Sequence, residues 1–454
     1  MSRPPRRGAP AGFRSARRMP RPTVRTLARG ARWAARALGF ALAGLLAFAA
    51  LRAAGAQTLL VPMDEAQRNH LRAYGLVYNA LKDGQRAEWL LNYRGGSYFV
   101  PDQPELRRRA ALAGVSVEPL DDGAVADVRR EVAGGNMDAV PLEKAPKIAI
   151  YTPPGAQPWD DAVTLALTYA GIPFEKVWDD EVLAGGLSKY EWVHLFHEDF
   201  TGQQNKLYLG YRDAPWFVEQ RRVAMAAAAR HGLPDVPALK KAVAEQIRLY
   251  VERGGFLFAM CGATESLDLA IAGRLVDFAG AQVDGTPPDP GADARMDWAR
   301  DFAFRNAHLE PPGVNALSDI DGHQVNVPFR RQRLGAFQLF AFSAKFDPVA
   351  TMLVQDHRAA IPDFYGVTTS FTKATLKPGV TVLATEEGAA WVKYIHGDYG
   401  KGAWTFLGGH DPEDPQHAIG SAPTDLALHP NSPGYRLILN NVLFPAAKKK
   451  PLKT

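Results

Sequence analysis

Gly254-Gly255-Phe256-Leu257-Phe258-Ala259-Met260-Cys261-Gly262-Ala263-Thr264 is the stretch whose reading decides the fold. Two glycines stop the helical run Pro237 to Arg253, five apolar residues follow, and a cysteine and a glycine open the next helix, Glu265 to Ala272. An uninterrupted apolar run of this length between helices is the pattern of a parallel strand buried on both faces. Four more short strand-like runs accompany it: Lys147 to Tyr151, Phe174 to Trp178, Tyr190 to Phe196 and Ala403 to Leu407. Helical stretches separate the earlier ones (Pro158 to Ala170, Trp216 to Arg230) and one closes the chain (Gly434 to Phe444). Strands alternating with helices indicate right-handed crossovers, so all five strands are expected to lie parallel in one sheet.

Cys261 then falls at a sharp strand-to-helix turn above the sheet edge, flanked by the small residues Gly262 and Ala259. A nucleophile there sits beside backbone N–H groups that can hold an oxyanion, and a helix N-terminus favours the thiolate. The alternative is a buried structural cysteine, since free cysteine is among the most buried residue types. His410 follows Ala403 to Leu407 through Gly408-Gly409, so it too reaches a strand's carboxyl end, the edge where open parallel sheets bind ligands. Paired with Cys261 it would act as general base, and the thiolate is then expected near neutral pH. Asp411 and Glu413 are the candidates to orient its imidazole.

With these residues in order, the chain resembles the class I glutamine amidotransferase superfamily, and most of all its trehalose-utilisation branch. There a strand ending in Leu-Gly-His is followed by a glutamate and a terminal helix; here the matching residues are Leu407 to His410, Glu413 and Tyr435 to Phe444. The resemblance covers roughly residues 147 to 280 and 380 to 445. It implies a flavodoxin-like parallel sheet with helices on both faces, Cys261 as nucleophile, His410 as base and Glu413 as orienter. Glu413 stands three residues after the histidine, where the superfamily places its acid at two, and Asp411 competes for the role. The resemblance also implies an oxyanion N–H from the loop His197-Glu198-Asp199 or from Gly202, with Gly262 and Gly409 beside the site. Look-alikes carry the label asparagine synthetase B, whose glutaminase acts through a cysteine at the mature N-terminus; the corresponding residue here would be Gln57.

The remaining sequence divides as follows. The first 56 residues hold twelve arginines and no acidic residue, and Ala37 to Leu51 is apolar and too short to span a membrane comfortably. Ala54-Gly55-Ala56 completes the pattern of a secretory signal peptide cleaved before Gln57, and an uncleaved anchor is the alternative. Without that segment the balance is 41 basic against 48 acidic residues, so the pI near 9.1 gives no support for nucleic-acid binding. Residues 57–145 read as an N-terminal α/β section ending in a linker from Gly134 to Pro146. Residues 146–284 and 366–447 form the amidotransferase-like domain, 285–365 an inserted β-rich lobe with strands at Gly335 to Phe342 and Pro348 to Val354, and 448–454 a basic tail.

One cysteine in 454 residues rules out an internal disulfide. His194, His197 and His410 raise a metal site, but residues three apart on a strand face opposite ways, and neither metal nor other cofactor is expected. His396, His417 and His429 read as core or surface residues. Trp159, Trp178, Trp192 and Trp216 read mainly as core, with those near the cleft able to stack on a sugar ring. Two functions emerge: an exported Cys–His hydrolase or amidase acting on a small amide or carbohydrate-derived molecule, or a non-catalytic, carbohydrate-binding module on the same fold. The partner is a small molecule in either case, with no membrane association after cleavage; the sequence leaves the oligomeric state open.

Overall fold

The computed structural model describes residues 57–154, 161–311, 316–322, 335–341, 343–347, 358–415 and 419–447. Residues 1–56, where a signal peptide is expected, Trp159, Pro348 to Val354, His417 and the basic tail lie outside them. A first sheet contains β1 (Thr58–Val61), β2 (Ala87–Leu91), β3 (Tyr98–Pro101), β4 (Glu118–Leu120) and β5 (Asp138–Leu142), with α1 (His70–Lys82) between β1 and β2. Its order is β4-β1-β3-β2-β5, antiparallel throughout. The expected linker is therefore in part a strand: Ala87 to Leu91 pair with Leu142 to Asp138. Pro141 concealed it, because proline suits an edge strand and few others. Asp122–Gly134, unassigned in the sequence, is a helix capped by Asp121, whose side chain accepts from Ala124 N–H at 2.8 Å.

Among the described residues the second sheet has ten strands. Its parallel part holds β6 (Ile148–Tyr151), β7 (Glu175–Val177), β8 (Trp192–Leu195), β9 (Phe256–Met260) and, after the later strands, β15 (Gly402–Leu407). These are the five runs named from the sequence, and all pair parallel, in the order β15-β9-β8-β6-β7. Numbered among themselves from the amino end, the strands run 2-1-3-4-5 across the sheet. The other half is antiparallel: β10 (Ala336–Leu339), β11 (Ala360–Pro362), β12 (Phe371–Thr372), β13 (Thr381–Thr385) and β14 (Trp391–Tyr399). β14 joins the halves by pairing with β15. The sheet is mixed rather than purely parallel, and the described strands of the 285–365 stretch extend its far edge instead of forming a separate sheet.

Alternate residues of each parallel strand enter different cores, as a two-residue side-chain period requires. Ile148, Ile150, Trp192 and Phe258 pack with α1, α2 (Ala162–Ala170) and Trp89 and Tyr98 of the first sheet. Ala149, Tyr151, Val193 and Leu257 pack with α3 (Val236–Glu252) and α4 (Gly262–Ala272) on the opposite side. The closing helix α5 (Pro433–Leu443) joins the first core. Helices thus cover both faces of the parallel half. Gly255 has to be glycine before β9, because a Cβ there would lie 2.2 Å from the Tyr250 ring.

The tightest helix contact is at Gly75 of α1, where a Cβ would come 1.7 Å from the Ala170 carbonyl oxygen of α2. Alanine gains about 1 kcal/mol of helix propensity over glycine, but forcing two backbones apart in a filled core costs about 1–3 kcal/mol or more. A contact so far inside van der Waals distance, against a backbone atom, puts the cost at the high end. Gly75→Ala is expected to lower unfolding free energy by at least about 1 kcal/mol net in urea titration.

Candidate functional site

The carboxyl ends of the parallel strands carry the candidate residues. Cys261 follows β9 and caps α4 with φ 52° and ψ −136°. Positive φ at a non-glycine residue costs about 1–3 kcal/mol and clusters at functional positions. Cys261 N–H donates to Leu407 O of β15 at 3.3 Å, which ties the turn to the strand that carries His410. Gly262 is tight as well: a Cβ there would meet His197 O at 3.1 Å and Val367 Cγ1 at 3.3 Å.

The two sheet ends are joined by a segment the sequence gave no reason to place there. Residues Phe364 to Thr369 cross over both. His410 N–H donates to Tyr365 O at 2.8 Å and Gly409 N–H to Thr368 O at 2.8 Å. Val367 N–H donates to Cys261 Sγ at 3.1 Å. A Cβ on Gly366 would fall 2.8 Å from Cys261 Sγ and 3.0 Å from His410 N, so one glycine touches both. Gly408 and Gly409 serve this crossing: a Cβ on Gly408 would lie 2.3 Å from Thr369 O, and one on Gly409 (φ 99°) 2.6 Å from the Phe364 ring.

Lys206 fastens the segment to α4. Its Nζ is 2.6 Å from Glu265 Oε2, 3.2 Å from Asp321 Oδ2, 3.0 Å from Thr368 Oγ1 and 3.1 Å from Val367 O. Burial would lower its pKa, but the two carboxylates outweigh burial and raise it, so the ammonium is permanent. Under this strap Cys261 is 0% exposed. Burial pushes its thiol above the ordinary range, and the pull of the Val367, Thr368 and Gly262 N–H groups and of Lys206 does not offset that. Against the expected thiolate near neutral pH, the elbow is present, but burial at this position opposes its donors.

His410 is 6% exposed, with its ring 4.4 Å from Phe196 and 6.1 Å from His197. Its proposed orienters have other work. Glu413 Oε2 holds His429 Nδ1 at 3.0 Å. Asp411 accepts Glu413 N–H at 2.8 Å, Asp414 N–H at 3.3 Å and the Thr424 hydroxyl at 2.8 Å, an arrangement that shapes its own loop. His194 is buried beneath the sheet end, with Nδ1 3.0 Å from Phe258 O and Nε2 3.3 Å from Asp161. His396 is core, its pKa lowered by burial to about 4.

Beside the strap, at the ends of β6, β7 and β8, a cleft of about 240 Å³ opens. Pro153 and Pro154 follow β6, Trp178 follows β7, and Glu198 and Asp199 follow β8; Trp216, Gln220 and Lys240 close the other side. Gly202 (φ 72°) also lines it, and a Cβ there would lie 2.8 Å from Pro237. A smaller cavity sharing Glu198, Asp199, Gln204 and Gln220 runs from this cleft to His197, Gly262 and Val367. The sequence named Glu198, Gly202, Trp178 and Trp216 but not Gln220 or Lys240, whose helical positions carry no motif. Trp192 is core.

Burial pushes the Glu198 carboxyl up to about 7, with Lys240 pulling it down and Asp179 and Asp199 pushing it further up. No group of His, Cys, Asp and Glu able to hold a metal ion is found among the described residues, and no described helix is long and apolar enough to cross a membrane.

No family model and no curated protein matches this chain. Among solved structures it is similar to two cytoplasmic proteins from Salmonella typhimurium. One is 13% identical with TM-score 0.33, covering 67% of this chain and all of that one. The other is 14% identical with TM-score 0.34, covering 66% of this chain and all of that one. It is also similar to a beta-galactosidase from Bacillus circulans sp. alkalophilus, at 12% identity and TM-score 0.25, over 57% of this chain and 28% of the enzyme. Likenesses at these scores carry no argument about fold or activity.

The Glu198 environment generates a direct test. Carbon NMR of labelled protein is expected to show this carboxyl titrating near 7. Lys240→Met is expected to move the midpoint up, because the lysine charge stabilises the carboxylate. A midpoint in the ordinary carboxylate range would show the side chain to be solvated.

Proposed function

We propose that this chain is an exported, amidotransferase-like protein that binds a small molecule in the cleft at the ends of β6, β7 and β8. Export is supported by the arginine-rich, then apolar, first 56 residues. The 2-1-3-4-5 order of the parallel strands supports a flavodoxin-like core on the superfamily's plan. In sheets of that order ligands bind outside the carboxyl ends where the winding reverses, which is between β6 and β8. The carrying observation is that the cleft lies at this reversal while the cysteine does not open to solvent.

The second reading, a Cys–His hydrolase or amidase, is favoured by the left-handed backbone of Cys261. Chemistry there requires Phe364 to Thr369 to lift away, exposing the thiol and breaking the hydrogen bond that Val367 N–H donates to its sulfur. Among small exported candidates offered to the protein (sugars, amines, amino acids and their amides), a true ligand is expected to raise the melting temperature of wild type and of Cys261→Ala alike. Trp216→Ala should abolish that rise. Ammonia release from an amide that stops in Cys261→Ala would transfer the conclusion to the hydrolase; a ligand effect indifferent to Trp216 would remove the cleft from the account.

A further inference from the structure

Resting on the cleft reading, we infer that its ligand carries a cationic nitrogen, an ammonium or alkylammonium head received by the Glu198 carboxylate against the Trp178 and Trp216 wall. The acidic groups at the cleft are otherwise committed. Glu219 is bonded to Arg222 at 2.6 and 2.7 Å, and Asp199 Oδ1 accepts the Thr201 N–H at 2.8 Å and its hydroxyl at 2.5 Å. Asp179 takes the Tyr151 hydroxyl at 2.5 Å and Lys240 Nζ at 3.0 and 3.1 Å. The cations are committed too: Lys240 to Asp179, and Arg221 to the Val283 carbonyl at 2.9 Å. For the Glu198 carboxylate no hydrogen bond or ion pair is found among the described residues, although its backbone carbonyl accepts from Ser266.

Glu198 is part-buried at the cleft wall, and with its neighbouring lysine already neutralised by Asp179 its carboxylate is best met by a proton or a cation. Its elevated titration point of about 7 is the proton solution. A cationic ligand is the other, and it competes with that proton. The aromatic wall suits such a head, because indole faces attract cations. The cleft's own Lys240 demonstrates the geometry, with Nζ 4.0 Å from the Trp178 ring centre. A neutral polyol would leave the charge of Glu198 unanswered.

The groups facing Glu198 are Tyr151 of β6, Lys240 on α3, Asp179 after β7, His197 and Asp199 on its own loop, Lys206, and Glu219 and Arg221 on the helix Pro215–Arg230. Across pH 6 to 8 the carboxyl of Glu198 and the imidazole of His197 beside it can both change charge, each making the cleft more negative as pH rises, so cation affinity should rise with pH and Glu198→Gln separates the two.

Choline chloride is the probe, compared by isothermal titration with the uncharged alcohol in which carbon replaces its nitrogen, and with myo-inositol. Choline is expected to bind wild type at pH 8 and about tenfold more weakly at pH 6, following the ionised fraction of a carboxyl near 7. Glu198→Gln, close to isosteric, is expected to weaken choline by about tenfold or more, the usual worth of a charged partner. Trp216→Phe should weaken it less, and the uncharged alcohol should bind at least about tenfold more weakly than choline. Equal binding of choline and the alcohol, myo-inositol binding in place of choline, choline binding unchanged in Glu198→Gln, or no choline binding to wild type would each overturn the inference. Binding of the alcohol or myo-inositol that Trp216→Ala removes would leave the cleft reading standing, so the two failures are distinct.

Discussion

Everything at the site depends on the backbone ladder that holds β9 between β8 and β15. Phe256 lies opposite both Trp192 and Ala403, and Met260 opposite Leu407, so three carboxyl ends finish level with one another. That register brings Cys261, His410 and the His197-Glu198-Asp199 loop to one edge. A slip of one residue in β9 would turn Phe258 and Met260 into the opposite core and carry Cys261 away from the crossing segment. The apolar residues on both faces make such a slip expensive, so the site inherits its precision from the core.

At Cys261 two demands oppose each other. Its left-handed backbone is the arrangement that presents a side chain above a sheet, and that arrangement costs energy without repaying it in local contacts. The strap from Phe364 to Thr369 then closes over the thiol, and burial outweighs the donors that would stabilise a thiolate. A working nucleophile needs the reverse balance, with donors winning over desolvation. The neighbouring cleft has no such conflict: it is open, holds a carboxylate without a partner among the described residues, and sits where the order of strands reverses.

Much of this was legible in the chain. Short strand-like runs are readable when glycine and helical segments bound them, and all five became parallel strands of three to six residues. The adjacency of Cys261 and His410 followed from their places at strand ends. What stayed hidden has physical reasons. β5 was masked by Pro141 and by the polar, glycine-rich residues before it, a common composition for an edge strand. The strap could not be anticipated, because Gly366 meets Cys261 across more than a hundred residues and nothing in its own composition marks it. Glu413 looked like a catalytic acid by position, yet it holds His429, a partner chosen by the loop's path. Lys206 carried no motif, and only the folded chain brings Glu265, Asp321 and Thr368 to it.

The account's central claim is that the strap encloses the elbow cysteine, so that ligand chemistry belongs to the neighbouring cleft. The most direct measurement is the rate at which native protein is alkylated by iodoacetamide at pH 8, read by intact mass against glutathione under the same conditions. Since Cys261 is the chain's one cysteine, the mass shift is unambiguous. Enclosure and a raised thiol pKa together lead to a rate slower than glutathione by about a hundredfold or more, with full labelling on denaturation. Labelling of the native protein as fast as glutathione, or faster, would contradict the account and identify Cys261 as an accessible nucleophile.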